Sequence, residues 1–317
     1  MPVKILIMYS DKIDDLFLSQ LSEWELAKIN YNQLENVKTR NLDLGDFKIL
    51  IQFNPERMRS SAARVDSKSI GGRPCFLCSE NRPTQQRGVA FKEKLTILVN
   101  PYPIFLRHLT ITSNVHTDQR ILPNFPTMLS LAKTLSDEVI FYNGPQCGAS
   151  APDHFHFQSG NKGFLPIEDD FEKGKQVKLL AMKHGIEVWT WTRYFRGIIT
   201  LKGDNPEMLI ETFNNFYNII SAVQPDRPEP MLNILAYFDP SGWIVHLIPR
   251  KIHRPTQFFR NGHDQILVSP ASVDLGGVII LPREEDFLKI NEDDIKDIFL
   301  QVCFNDDEIE GLSKSLV

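Results

Sequence analysis

The chain alternates between short β-rich runs and longer stretches with helical spacing of apolar residues. An amphipathic stretch from Asp14 to Lys28 reads as a helix, and LGDFKILIQF (residues 44 to 53) as a strand, the two flanking the core. LTILVNPYPI and HLTITS are two β-rich runs separated by a proline-containing turn. A helical stretch from Phe125 to about Glu138 follows, then the strand VIFYNG and the loop PQCGASAPD. IEVWTWTRYFRGIITLKG reads as a strand pair, PEMLIETFNNFYNIISAV as an amphipathic helix, and MLNILAYFDPSGWIVHLIPR as a hairpin turning at Asp239 to Gly242. Antiparallel pairs with interspersed helices predict an α+β protein. The polar, glycine-bearing RMRSSAARVDSKSIGGRP (57 to 74) reads as a loop that ligand would order. HLTITSNVH (108 to 116) and HLIPRKIH (246 to 253) each end a β run after a histidine-leucine pair, which hints at two related halves.

Between those elements lies APDHFHFQSG, residues 151 to 160. On a strand, side chains alternate faces, so His154, His156 and Gln158 share one face at roughly 7 Å intervals while Phe155 and Phe157 turn to the other. An H-x-H on its own also suits a metal edge or two satisfied polar residues. The added glutamine and the small residues Gly144, Gly148, Ala149 and Ser150 just upstream favour a phosphate. A neutral imidazole can attack phosphorus, and a backbone carbonyl on its other nitrogen fixes the tautomer. Gln158 can donate to a phosphate oxygen without competing for protons.

Composition narrows the class. With 317 residues, 42% apolar, 24% charged and a net charge of −5, the chain reads as an ordinary globular protein and not as a nucleic-acid binder. No run is long enough for a membrane span, and Ile5 to Met8 is too short for a signal-peptide core. Four cysteines, only Cys75 and Cys78 being close together, do not form a secreted disulfide framework, so the expected location is cytoplasmic.

DHFHFQ resembles the H-x-H-x-Q signature of the transferase branch of the histidine-triad superfamily. That branch includes the galactose-1-phosphate uridylyltransferases, diadenosine tetraphosphate phosphorylases and GDP-L-galactose phosphorylases. GRPCFLC, VNPYPIFLRHLTITSNVH and YNGPQCGASAPDHFHFQ resemble the same proteins in order and spacing over about residues 71 to 160, and LNILAYFDPSGWIVHLIPRKIHRP resembles their second half. Phe155 stands where the uridylyltransferases carry proline.

The resemblance implies a HIT-like antiparallel sheet with flanking helices in two fused halves. The expected division is a flanking segment at 1–70, a catalytic half at 71–185, and a second half with a C-terminal segment at 186–317. It implies nucleotidyl transfer to phosphate or a sugar phosphate, with His156 as nucleophile, His154 and Gln158 beside it, and Asn143, Gly148 and Ser150 lining the phosphate. The donor would be a nucleoside diphosphate sugar or a dinucleoside polyphosphate; a nucleotide-binding protein without turnover is the non-enzymatic alternative. It also implies a structural zinc on Cys75, Cys78, His116 and His154, no organic cofactor, and a homodimer.

Other polar residues are less specific. Arg73 could contact phosphate or ribose, or be solvated. His108, at the start of a strand, could face a ligand, but reads rather as a capping or surface histidine. Arg250, Lys251, His253 and Arg254 suit either a second phosphate or a solvated basic turn, and Cys147 reads as a small packing residue.

Overall fold

The computed structural model describes residues 3–58, 67–314 and 316. Of the loop expected at 57–74, residues 59–66 lie outside the described residues; Ser67–Gly71 is a short helix. Helices Val3–Glu23 and Glu25–Gln33 lead into a hairpin of β1 (Lys38–Asp43) and β2 (Lys48–Phe53).

Ten strands then form one antiparallel sheet. The first five are β3 (Gly88–Phe91), β4 (Leu95–Val99), β5 (His108–Ser113), β6 (Glu138–Asn143) and β7 (His156–Asn161). The next five are β8 (Val177–Lys183), β9 (Ile186–Trp191), β10 (Ile199–Gly203), β11 (Leu232–Asp239) and β12 (Gly242–Pro249). Their spatial order is β3-β4-β5-β7-β6-β11-β12-β10-β9-β8. Each set follows the same path: three strands in sequence, a helix, then two strands of which the later inserts beside the third. The helices are Phe125–Thr134 in the first set and Pro206–Val223 in the second. The two sets meet edge to edge where β6 pairs antiparallel with β11, Asn143 opposite Asn233. The chain is thus α+β with a duplicated half, as the resemblance implies.

The duplication is not the one suggested by the two histidine-leucine pairs. His108 lies on β5 and His246 on β12, the third strand of one set and the fifth of the other. The counterpart of β12 is β7, so His246 answers to the His156 strand. The boundary expected at residue 186 also moves. It would cut the β8–β9 hairpin, whose turn is made by His184 and Gly185, both at positive φ. Strand pairing divides the sheet between β7 and β8 instead. Residues 1–70 do more than flank, because β2 pairs in parallel with β13 (Val278–Leu281) to form a three-stranded sheet with the C-terminal region.

The central strands of the large sheet are buried on both faces, whereas the outermost, β3 and β8, are largely exposed. On one face Phe155 and Phe157 join Ile111, Ile140 and Val245 beneath Met128, Phe213 and Ile220 of the two helices, as the strand alternation predicts. Phe125 and Phe213 stack across those helices with ring centroids 3.8 Å apart. On the other face Phe105, Phe141, Leu235 and Tyr237 pack against Ile49, Ile51, Ile279 and Phe299 of the small sheet and C-terminal helices. Full burial of each such side chain stabilises by about 1.5–3 kcal/mol, so the small sheet is a third layer of the same body.

Arg250 pins that layer. Its buried guanidinium donates to Asn233 Oδ1 at 2.7 Å, Pro270 O at 2.9 Å, Val302 O at 3.0 Å, Ile252 O at 3.1 Å and His253 O at 2.9 Å. It is therefore a structural cation and not a phosphate ligand. Arg250→Ala strands several buried carbonyls and leaves a void, and should cost on the order of 3 kcal/mol or more, read as a lower urea midpoint with unchanged slope.

Candidate active site

The site forms where β6 and β7 part. Their register ends at Phe141 opposite Gln158, and beyond it the amide of Gln119 bridges the two backbones. Gln119 Oε1 accepts from His156 N at 2.8 Å, and its Nε2 donates to His156 O at 2.9 Å and Asn143 O at 3.0 Å. This clamp lets the strands splay without leaving buried backbone groups unpaired. His156 and Gln158 face the opening together, opposite Thr112 and Thr110 of β5.

His156 Nδ1 lies 2.9 Å from the carbonyl of His154. A carbonyl only accepts, so Nδ1 carries the proton and the lone pair is on Nε2. Burial lowers the His156 pKa to about 4, the carbonyl bond opposing it, so the ring is neutral near pH 7.

Gln158 is oriented by a residue that reads from sequence as capping or surface. His108 is fully buried; Ile104 N donates to its Nδ1 at 3.2 Å, which forces the proton onto Nε2, and Nε2 then donates to Gln158 Oε1 at 3.0 Å. Asn100 Nδ2 reaches the same oxygen at 3.4 Å. With Oε1 engaged from behind, the Gln158 NH2 is the group left for an anion. Burial lowers the His108 pKa to about 3, with Arg57 acting in the same direction, so its tautomer holds across the working range. His108→Ala removes this orientation, and the single-turnover rate with any donor the protein uses should fall about 10²-fold. An unchanged rate would show that Gln158 needs no support.

His156 and Gln158 open onto a cavity of about 560 Å³ that is also lined by Asn143, Gly148, Ser150 and Arg73. Asn143 Oδ1 is taken by Asn233 Nδ2, Ser272 N and Ser272 Oγ, all within 2.9 Å, which leaves its NH2 as the available donor. Gly148 has a φ of +95°, and a Cβ there would lie 2.5 Å from the Ala271 Cβ. Its glycine is required by the approach of the neighbouring segment as much as by any phosphate. Cys147 is buried and its thiol is pushed up to about 11 by burial, in line with a packing role.

His154 departs from the expectation of three side chains on one strand face. It precedes β7 in a turn, with its N–H on Ala151 O, and its ring leaves the cavity for Cys75 and Cys78. Cys75 Sγ and Cys78 Sγ each lie 3.4 Å from His154 Nδ1, Cys78 Sγ lies 3.1 Å from His116 Nδ1, and all four ligand atoms fall within 4.8 Å of one another. Tetrahedral zinc with these donors has edges of roughly 3.3–3.8 Å, so the set fits that ion. His154 Nε2 donates to Ser113 O at 2.9 Å, freeing Nδ1 as the ligand atom.

Several cavity residues carry no local signal in the sequence. Arg57 follows β2, on the other sheet, and donates to Tyr102 O at 2.8 Å. Asn100 stands in the N-P-Y-P turn, which the resemblance marks as a motif without assigning it a role. His253 and Arg254 line the cavity while Lys251 pairs with Glu308 at 3.1 Å, so the basic cluster of the sequence is divided among three environments.

Among the described residues, the histidine of the second half's counterpart strand is closed off from solvent. His246 on β12 is fully buried, with Nδ1 2.8 Å from Thr200 Oγ1 and the rings of Phe171, Tyr237 and Trp191 centred 5.4, 5.7 and 5.8 Å away. Aromatic side chains surround this histidine, whereas His156 borders a cavity.

Residues 16–161 match a family model described as a domain of unknown function (DUF4922), and residues 170–317 match the model GDPGP1-like, C-terminal domain. No curated protein matches the sequence. Among solved structures, yeast Ap4A phosphorylase Apa2 in complex with Ap4A aligns with a TM-score of 0.60 and 16% identity, covering 93% of this chain and 97% of that one. The same yeast enzyme in complex with AMP aligns with a TM-score of 0.58 and 15% identity over the same shares. At such identity the likeness establishes architecture. Among the described residues, no helix is long and apolar enough to cross a membrane. The chain thus shares its duplicated α+β architecture with the yeast Ap4A phosphorylase, and its second half matches the GDPGP1-like C-terminal domain model.

Proposed function

We propose that the protein is a nucleotidyl transferase or phosphorylase that acts on a nucleoside diphosphate sugar through a covalent nucleotidyl-His156 intermediate. The observation that carries this is the pairing of a tautomer-fixed His156, its Nε2 lone pair available, with a Gln158 amide whose oxygen is held from behind, both on the wall of one cavity. In the first step Nε2 attacks the α-phosphorus, a P–N bond forms, and the bond to the bridging oxygen breaks to release a sugar 1-phosphate. In the second, inorganic phosphate or a sugar phosphate attacks the same phosphorus and the electron pair of the P–N bond returns to Nε2. With phosphate as acceptor, the sum is nucleotide sugar plus phosphate to nucleoside diphosphate plus sugar 1-phosphate.

Gln158 and the Asn143 NH2 are assigned to the nonbridging oxygens, with Ser150 and Arg73 beside them. The His154 carbonyl holds the Nδ1 proton and stabilises the positive charge that develops on the ring as the adduct forms. Zinc is assigned to Cys75, Cys78, His116 and His154. Four protein ligands leave no open coordination position, so its contribution is structural.

A second reading has a specific observation behind it. The aligned yeast enzyme is an Ap4A phosphorylase crystallised with Ap4A, and the alignment spans nearly the whole chain, so a dinucleoside polyphosphate is the alternative donor.

Intact-protein mass after brief incubation without phosphate, using UDP-, GDP- and ADP-sugars and diadenosine tetraphosphate in turn, tests both. An acid-labile nucleotidyl mass is expected and names the base and donor. A protein that turns over a donor with no adduct at any time point rules out the two-step route.

A further inference from the structure

Arg73 and Asp153 stand between the metal-ligand cluster and the cavity. Arg73 is two residues before Cys75 and lines the cavity together with His156. Its Nη2 donates to Ser150 O at 2.7 Å and lies 4.0 Å from Asp153 Oδ1, and its guanidinium carbon sits 5.1 Å from the centre of the Phe76 ring. Asp153 turns its other oxygen toward the cluster, Oδ2 being 3.6 Å from His116 Nε2. Two buried atoms here make no hydrogen bond: Arg73 Nε, and Asp153 Oδ1, which has the Arg73 Nη2 ion pair at 4.0 Å. A buried guanidinium N–H beside a cavity is costly to leave open and is completed by water or by an anion bound there.

A carboxylate on the far nitrogen of a ligating histidine orients that ring and gains strength from the metal, which makes the N–H more acidic. Here the same carboxylate faces the guanidinium that borders the cavity. With the metal bound, His116 is held by its ligand bond, Asp153 is held by His116, and Arg73 is held by Asp153 and Ser150. Without it, the C-x-x-C turn that follows Arg73 keeps a small apolar cluster of Cys75, Leu77 and Ala151 and the Asn81 Nδ2 bond to Cys75 O, and Arg73 keeps its bond to Ser150 O.

We propose that Asp153 is a positioning residue that couples the Cys2His2 centre to Arg73, so that the metal sets the affinity for the substrate phosphate as well as the stability of the fold. This rests on the reading of Arg73 as a phosphate ligand. Asp153 makes no contact with the reacting atoms in this scheme; it acts by placing Arg73.

Asparagine separates the two halves of the relay, since its carbonyl can take the same place beside His116 Nε2 while its NH2 presents no charge to Arg73. The test uses the full chain with zinc per chain and thermal midpoint recorded for every variant, and calorimetric Kd for GDP and ADP, with KM and kcat alongside. Asp153→Asn should keep its zinc, raise Kd for the nucleotide that wild type binds, and raise KM, by about 10-fold, and lower kcat far less. Arg73→Ala should weaken binding at least as much, and adding Asp153→Asn to Arg73→Ala should change Kd no further, because coupled residues are non-additive. If Arg73→Ala binds as wild type does, the phosphate role of Arg73 fails and the coupling with it. If Arg73→Ala weakens binding while Asp153→Asn is silent, or if the two effects add, the coupling alone is overturned. Loss of zinc in Asp153→Asn would make the residue a support of the metal and would also overturn the relay.

Discussion

His156→Ala should give a folded protein that forms no nucleotidyl adduct with any donor and loses turnover by on the order of 10⁴–10⁶-fold, the scale set by removal of a nucleophile elsewhere. The fold should survive because the Gln119 clamp grips the backbone N–H and carbonyl of residue 156, and the ring's own bond is to the adjacent backbone at His154. What is lost is the Nε2 lone pair and the carbonyl-held proton that stabilises charge as the P–N bond forms. Substrate binding should be kept, since Gln158, Asn143 and Arg73 are untouched. Intact mass, steady-state turnover and nucleotide Kd measured on the same preparation separate these effects. Wild-type turnover in the variant would end the assignment of His156.

Removal of the zinc proposed for Cys75, Cys78, His116 and His154 should have the second large effect, this time on stability. The four ligand residues come from two loops and the turn before β7, joined by few apolar contacts: Cys75, Leu77 and Ala151 form a cluster separate from the two large cores. A cluster of that size cannot hold the C-x-x-C turn against the conformational entropy of freeing it, roughly 1–2 kcal/mol per residue. Cys75→Ser, or chelation of the wild type, should therefore lower metal content and the thermal midpoint together, the latter by on the order of 10 °C if a few kcal/mol are lost. Retention of a full complement of metal by Cys75→Ser would remove that residue from the site.

The sequence carries the parts of this protein that are local. Strand alternation places Phe155 and Phe157 in the helix-side core and His156 with Gln158 on the opposite face, because the two-residue period of a strand is independent of what packs on it. The tight hairpin at Asp239 to Gly242 and the helix Pro206–Val223 are legible for the same reason. The resemblance supplied the class and the duplicated α+β fold. The C-x-x-C marks a metal candidate through its spacing, and the resemblance supplied the two histidines that complete the set.

What only the tertiary structure decided are the relations between segments distant in the chain. His108 orients Gln158 from fifty residues away because β5 and β7 pair, and nothing near position 108 distinguishes it from a capping histidine. His154 leaves the strand pattern because the turn at Ala151 ends the alternation, and the two cysteines and His116 converge on its ring. Arg57 reaches the cavity through docking of the small sheet, whereas Arg250, one residue from Lys251 in a run that looks uniformly basic, is buried by the same docking. A side chain's role follows from the local chain only when its partners are local. Here the partners of the neighbours of His156 were set by strand pairing and layer packing, which depend on the whole chain at once.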